Sequence, residues 1–342
     1  MKDLKIFLEI LLILISSSSC VKREDKDKDK FRYDTEVIAI FSSYGVSEHT
    51  HDGLIYSGLI KVTDSLGIVF RPVIPFTYED GTNTIDRLIK SDQSGKKRLI
   101  ISADPQYSDY LSKLASEGSV IDSDSTKLLV FDGDLSHPDL YAVHVPLYAV
   151  MYEAGYLAGR MDSVSNARIY IANDNYRYMR EGKDGFIDGF ALSGGDDIVV
   201  VDFSETNDDD TEGFYKASLA YLYAEECYND SCDMVLPVCG ETIMGFLRYN
   251  REFPGSFYTV GVGADMSVYS PDVPFSCVEH LDRVVNECVV AWIENRLEHK
   301  MTFGMDGGWV ELIVSGNYKN QLGQVPSEIH RQALEKEAGY ER

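Results

Sequence analysis

From residue 36 to residue 314 the chain alternates short, continuously apolar runs with amphipathic stretches, and it makes that circuit twice. The first round predicts strands over 36–41, 68–74, 98–102 and 127–132. Helices fall between them over 53–66, 82–90 and 107–117. In the first helix Leu54, Ile55, Leu59 and Val62 recur at helical spacing on one face. Strands that are apolar throughout belong to parallel sheets with helices on both faces, not to sheets with one wet side. The second round predicts helices over 145–161, 181–192, 211–227 and 242–251, with strands over 168–172, 198–203, 233–237 and 257–262. A helix over 279–298 then carries an apolar stripe that includes Leu281, Val285, Cys288, Trp292 and Leu297. A strand over 308–314 and a terminal helix over 327–338 complete the reading.

Two restarts of the same pattern predict an α/β fold of two doubly wound parallel-sheet lobes facing each other across a cleft, joined by several hinge crossovers. The expected boundaries are 35–145 with 276–301 for the N-terminal lobe, 146–275 with 302–325 for the C-terminal lobe, and a tail over 326–342. The hinges should lie near Val145, Phe275 and Met301. A single large α/β enzyme domain would show the same alternation, so periodicity alone leaves both open.

The N-terminus narrows the setting. Lys2 and Lys5 precede an apolar run over 6–15 that is broken only by Glu9, and four serines then lead to Cys20. That run is too short to span a bilayer and reads as a signal peptide over 1–19. Small residues before one cysteine suit lipidation at Cys20, although an ordinary secretory signal with an incidental cysteine would share the pattern. The charged segment over 20–34 reads as a solvated tether, and charges directly behind the lipid cysteine resemble export signals of surface lipoproteins. The expected location is a bacterial membrane, with the protein exported and lipid-anchored.

Acidic residues number 56 against 32 Lys and Arg, a net charge of −24. Such a surface repels nucleic acid and anionic headgroups, so neither is an expected partner. Of the remaining cysteines, Cys227 and Cys232 flank a turn-forming Tyr-Asn-Asp-Ser, and an oxidising compartment predicts a disulfide between them. No cysteine or histidine pair has structural-zinc spacing, and neither a metal nor a cofactor is expected. Asp208, Asp209 and Asp210 lack the spacing of a calcium loop. There is no Gly-x-Ser-x-Gly elbow and no phosphate loop, so no catalytic residues are assigned. A monomer is expected.

Several segments bear a closer resemblance. The helix containing Tyr156-Leu157-Ala158-Gly159, with small residues Ala154, Gly155, Ala158 and Gly159 on one face, is followed by a strand and a helix ending Gly185-Phe-Ile-Asp-Gly-Phe190. This run resembles the basic membrane protein family, substrate-binding lipoproteins that include PnrA-like purine nucleoside receptors. Gly45-Val46-Ser47-Glu48-His49-Thr50-His51-Asp52 resembles that family's Gly-Val-x-Asp-x-Ser-Phe-Asn loop, and Phe131-Asp132-Gly133 its Ile-Asp-Gly strand end. Gly240, Thr242 and Gly245 survive from a glycine-rich loop. Phe303-Gly304 and Gly308-Trp309-Val310 resemble its closing pattern. The resemblance implies a type I periplasmic-binding clamshell that serves an ABC-type permease or a sensing partner.

The departures concern ligand chemistry. Where the family pattern reads Ile-Gly-Val-Asp-x-Asp, Gly263 replaces the first aspartate, and Glu279 stands where it has lysine. The resemblance gives those two positions the task of holding ribose hydroxyls, and losing such partners in a dry cleft costs about 1–3 kcal/mol each. A standard nucleoside should therefore bind weakly. The candidate ligand residues are Tyr44, Glu48, His51, Asp52, Asp104, Tyr107, Asn173, Asp174, Tyr176, Glu241, Asp265 and Glu279. All follow strand ends, although each could equally be a loop or capping residue. Carboxylates and rings suit a small polar ligand that is nucleoside-like, a sugar or amine-bearing. Alternatives are a surface-exposed binding or scaffold module without a transport role, or a hydrolase on the same fold.

Overall fold

The computed structural model describes residues 32–91, 95–118, 125–133, 140–195, 197–206 and 213–340. The expected signal segment, Cys20 and most of the tether lie outside the described residues, as do Asp208 to Asp210. Ten helices of α type and thirteen strands are present among the described residues. In the first half β1 (Arg32–Ile40), β2 (Ile68–Val73), β3 (Lys97–Ser102), β4 (Thr126–Phe131) and β5 (Tyr141–His144) alternate with α1 (His51–Leu66), α2 (Tyr78–Lys90) and α3 (Ser108–Ser116). The strands form one parallel sheet in the order β12-β5-β4-β3-β1-β2, with β12 (Lys300–Thr302) returning late in the chain to its edge.

The pleat explains why β1 is apolar at every position. Val37, Ala39 and Phe41 join the core under α1, whereas Ile40 packs with Ile85, Leu111 and Leu128 under α2 and α3. Residues 37–41 are fully buried. Helix α8 (Leu281–Ile293) crosses α1 so closely that a Cβ on Gly58 would lie 2.5 Å from the Asp282 carbonyl oxygen. The apolar stripe on α8 is thus core packing.

The second half is built from α4 (Tyr148–Ala158), β6 (Asn166–Ile171), α5 (Arg177–Leu192), β7 (Asp197–Asp202), α6 (Ala217–Asn229), β8 (Met234–Val238), α7 (Ile243–Glu252) and β9 (Tyr258–Thr259). Its four strands are parallel in the order β7-β6-β8-β9. The small residues of α4 have a structural purpose. A Cβ on Gly155 would stand 2.2 Å from the Phe186 carbonyl oxygen, so only glycine lets α4 and α5 touch backbone to backbone.

Where the sequence predicts one strand over 257–262, the chain breaks at Val260. β9 stays with β8, while β10 (Gly261–Gly263) pairs in parallel with β11 (Phe275–Glu279), which pairs antiparallel with β13 (Val310–Val314). A small mixed sheet is therefore added to the two parallel ones. It also shortens the expected helix over 279–298, because residues 275–279 are drawn into the pairing with β13. Two short elements, β5 and α9 (Lys319–Leu322), carry too few residues to show a period. The terminal helix α10 (Ser327–Tyr340) packs back on α4, where the buried Glu337 accepts a hydrogen bond from the Ala149 amide at 2.7 Å.

Candidate ligand-binding site

A cleft opens where the carboxyl ends of strands from all three sheets converge, the usual ligand position in such sheets. The residues after β1 and β3, the N-terminus of α1 and the end of β11 line one side. Tyr178 and Met179 of α5, Phe214, Tyr215 and the segment after β8 line the other. Leu147, Val238, Ile243, Met244, Val262, Met266 and Leu281 give it largely apolar walls.

Thr50 caps α1 by accepting from the Gly53 amide and so fixes where the first turn begins. That turn projects His51 and Asp52. Asp52 Oδ2 accepts the Ser42 amide at 2.7 Å, while its Oδ1 lies 3.5 Å from His51 Nδ1. The other ring nitrogen, Nε2, lies 3.2 Å from Asp132 Oδ2. Asp132 ends β4 in a left-handed conformation, φ 49°, which turns its side chain back into the interior. Burial alone would lower the His51 pKa, but hydrogen bonds and charge from Asp132 and Asp52 outweigh it and raise it to about 10. Both ring nitrogens then donate, which only imidazolium can do.

The ion pairing continues across the gap between the sheets. His144, at the end of β5, has Nδ1 3.9 Å from Asp132 Oδ1 and Nε2 3.0 Å from Glu181 Oε1 of α5. Arg177 Nε meets the same Glu181 oxygen at 2.8 Å. The two carboxylates also hold the connecting backbone: Val145 N donates to Asp132 Oδ1 at 3.2 Å and Leu147 N to Glu181 Oε2 at 3.4 Å.

Two further carboxyl groups face the cleft without such support. Asp104 is 4 % exposed; its Oδ1 accepts the Gln106 amide at 2.9 Å, and its Oδ2 has no hydrogen-bond partner. Burial first, then the nearby Asp52 charge, pushes its pKa up to about 7. Glu279, at the end of β11, is 8 % exposed, and its carboxyl has no hydrogen bond or ion pair among the described residues. Burial and then Asp132 raise it to about 7, with His51 acting in the opposite sense. Glu241, half-buried, is raised by burial and by Asp52. The Tyr178 and Tyr215 hydroxyls are held protonated by burial.

The structure brings Glu48, His51, Asp52, Asp104, Glu241 and Glu279 to the cleft, with Glu48 at its exposed mouth. The other six sequence candidates lie elsewhere. Tyr44, half exposed, stacks on Tyr215 at 4.0 Å and Tyr176 meets Phe214 edge-on at 5.3 Å, and neither lines the cleft itself. Tyr107 is core, stacked on Tyr78 at 5.4 Å. Asn173 accepts the Asn175 amide in a local turn, Asp174 pairs with Lys183 at 2.7 Å, and Asp265 caps the one-turn helix over 266–268 through the Ser267 amide. Sequence reasoning missed Asp132, whose signal was the Phe131-Asp132-Gly133 strand end, and Tyr178, Phe214, Tyr215 and Tyr269. Phe214 and Tyr215 fall inside the stretch expected to be helical, which hid them.

Cys227 and Cys232, expected to be bridged, are free and buried thiols in the structure. Cys227 Sγ lies 3.1 Å from the Tyr170 hydroxyl and Cys232 donates to the Met234 carbonyl at 3.2 Å, so each sulfur already has a partner as a thiol.

The family model of PnrA-like ABC transporter substrate-binding proteins, Bmp, matches residues 49–339. The chain belongs to the Bmp family. Basic membrane protein C of Borreliella burgdorferi strain N40, a Bmp relative by name, is 22% identical over 307 residues, covering 85% of this chain and 81% of its own. Among solved structures, an ABC transporter solute-binding protein from Aeropyrum pernix K1 superposes with a TM-score of 0.66 at 14% identity, covering 90% of this chain and 86% of that one. A solute-binding protein from Agrobacterium vitis with bound allitol superposes at 0.60 and 11% identity, covering 84% and 98%. At those identities the likeness bears on the fold alone. The expected Bmp membership and the α/β fold with parallel sheets both hold, and the protein is a substrate-binding protein of the ABC-transporter type.

Proposed function

We propose that this Bmp protein captures a small polar ligand between two lobes, 35–145 with 276–301 and 146–275 with 302–325. It passes the ligand to an ABC-type permease or signals its presence to a membrane partner. Closure would bend the crossovers near Val145, Phe275 and Met301 while each half stays rigid. Lipid at Cys20 and the charged tether would hold a monomer at a bacterial membrane, and no catalysis is part of the reading.

One observation carries it. The cleft is apolar-walled, yet Asp104, one of its lining residues, keeps a buried carboxyl oxygen without a hydrogen-bond partner. A buried acceptor left unmade costs free energy, and a ligand donor would recover it. The candidates are a nucleoside-like molecule, a sugar or an amine-bearing solute. Differential scanning fluorimetry of the mature chain against nucleosides, polyols, amines and amino acids tests the reading. Stabilisation by one class is expected, growing with the logarithm of ligand concentration above Kd. Turnover of a chromogenic glycoside without any such stabilisation would refute it.

A further inference from the structure

Resting on the solute-capture reading, we infer that this cleft selects a small organic cation: an ammonium or amidinium group on an apolar body, seated between Asp104 and Glu279. Three independent observations converge on that ligand class.

The first is charge. Glu48, Asp52, Asp104, Glu241 and Glu279 line the cleft, and among the described residues no lysine or arginine does. The imidazolium of His51 is taken up by Asp52 and Asp132, so it does not offset the other acids of the cleft. An anionic solute would enter a site already crowded with like charge, in surroundings where water screens little.

The second is the state of the two carboxyl groups. Asp104 Oδ2 is buried without a partner, and Glu279 is buried without an ion pair among the described residues. Structural carboxylates in this protein look different: Asp132 and Glu181 are each held by a histidine and a backbone amide. Charge-assisted hydrogen bonds from a cation are the strongest donors these two acceptors could receive.

The third is the wall. Leu147, Val238 and Leu281 offer no partner to a polar group that faces them and suit an apolar body. Tyr178, Tyr215 and Tyr269 present ring surfaces that suit a cation and its apolar body. A metal ion is the poorer occupant, since no group of three or more His, Cys, Asp or Glu among the described residues could hold one.

Proton exchange accompanies binding. Asp104 faces Asp52 and His51 from α1 together with the Tyr107 and Tyr215 hydroxyls, and Glu279 faces Asp132, His51 and Tyr178. In the empty cleft each carboxyl holds a proton part of the time near neutrality, and an arriving ammonium sends that proton to solvent. Affinity therefore rises from pH 6 to pH 8, by about tenfold in total for each carboxyl discharged, with most of the rise below pH 7.

Calorimetric titration of the mature chain with butylamine, putrescine and agmatine, beside ribitol and adenosine, at pH 6, 7 and 8 tests this. Binding of at least one amine that tightens with pH is expected, along with about tenfold weaker binding in Asp104→Asn or Glu279→Gln. Both variants are near-isosteric and relieve buried charge, and circular dichroism verifies that they fold. Amine binding that is flat with pH and unchanged in both variants overturns the assignment to these carboxyls. Ribitol or adenosine binding with no amine binding leaves solute capture standing and removes the cation. Failure of every probe removes the capture reading and the inference with it.

Discussion

Asp104, Glu279 and His51 share one property: each titrates higher in the folded chain than in free solution, and each does so for a traceable reason. For the two carboxyls, folding favours the protonated form. Their contribution to stability is complete below the ordinary carboxyl range and is lost as pH rises through about 7. His51 also has a raised pKa, so its contribution is complete below 6.5 and is lost as pH rises through about 10. The ligand-free protein should therefore melt at progressively lower temperature from pH 5 to pH 10. Glu279→Gln should flatten the acid part of that curve and leave the alkaline part, as read by scanning calorimetry at unit pH steps. At this scale the sequence was half legible. Strand ends place a residue near a cleft but do not fix which way its side chain turns. Asp174 and Asp265 follow strand ends as surely as Asp104 does, yet one turns to Lys183 and the other to its own backbone. Asp132 could be found as part of a motif, but its left-handed backbone, which aims it at His51, has no signature in a single sequence.

Helix contact explains the strongest sequence signal. Between α4 and α5 the chain places glycine on both sides: Gly155 on α4, and on α5 Gly189, where a Cβ would sit 1.9 Å from the Tyr152 carbonyl oxygen, and Gly185, where one would sit 2.3 Å from that of Tyr148. Backbone cannot yield as a flexible side chain can. Gly189→Ala should therefore destabilise by about 3 kcal/mol or more, seen as a lower urea midpoint with an unchanged slope. Long helices and apolar strands were readable because burial imposes a period on every residue they contain. The break at Val260 was not readable, since Val260 is as buried as its neighbours and the apolar run continues through it. What separates β9 from β10 is the identity of their pairing partners, a long-range fact. The antiparallel entry of β13 was hidden for the same reason.

The whole molecule is two α/β halves with a third small sheet, and the doubled alternation announced most of that. It could not announce how the halves are tied. Glu181 supports both His144 and Arg177 while 99 % of its side chain is buried. Glu181→Gln removes the buried carboxylate that Arg177 and His144 share and should cost about 3 kcal/mol, measured as a drop in the calorimetric midpoint. Because His144 belongs to one sheet and Glu181 to a helix of the other half, that transition should also broaden.

The short link from β5 to α4 reads Val145-Pro146-Leu147. A carboxylate from either half grips the amide on each side of a proline whose ring already freezes its own φ. Few torsions remain there to turn, so the closure proposed above would bend least at this crossing, which Asp132 and Glu181 would hold as a pivot while the links near Phe275 and Met301 bend more.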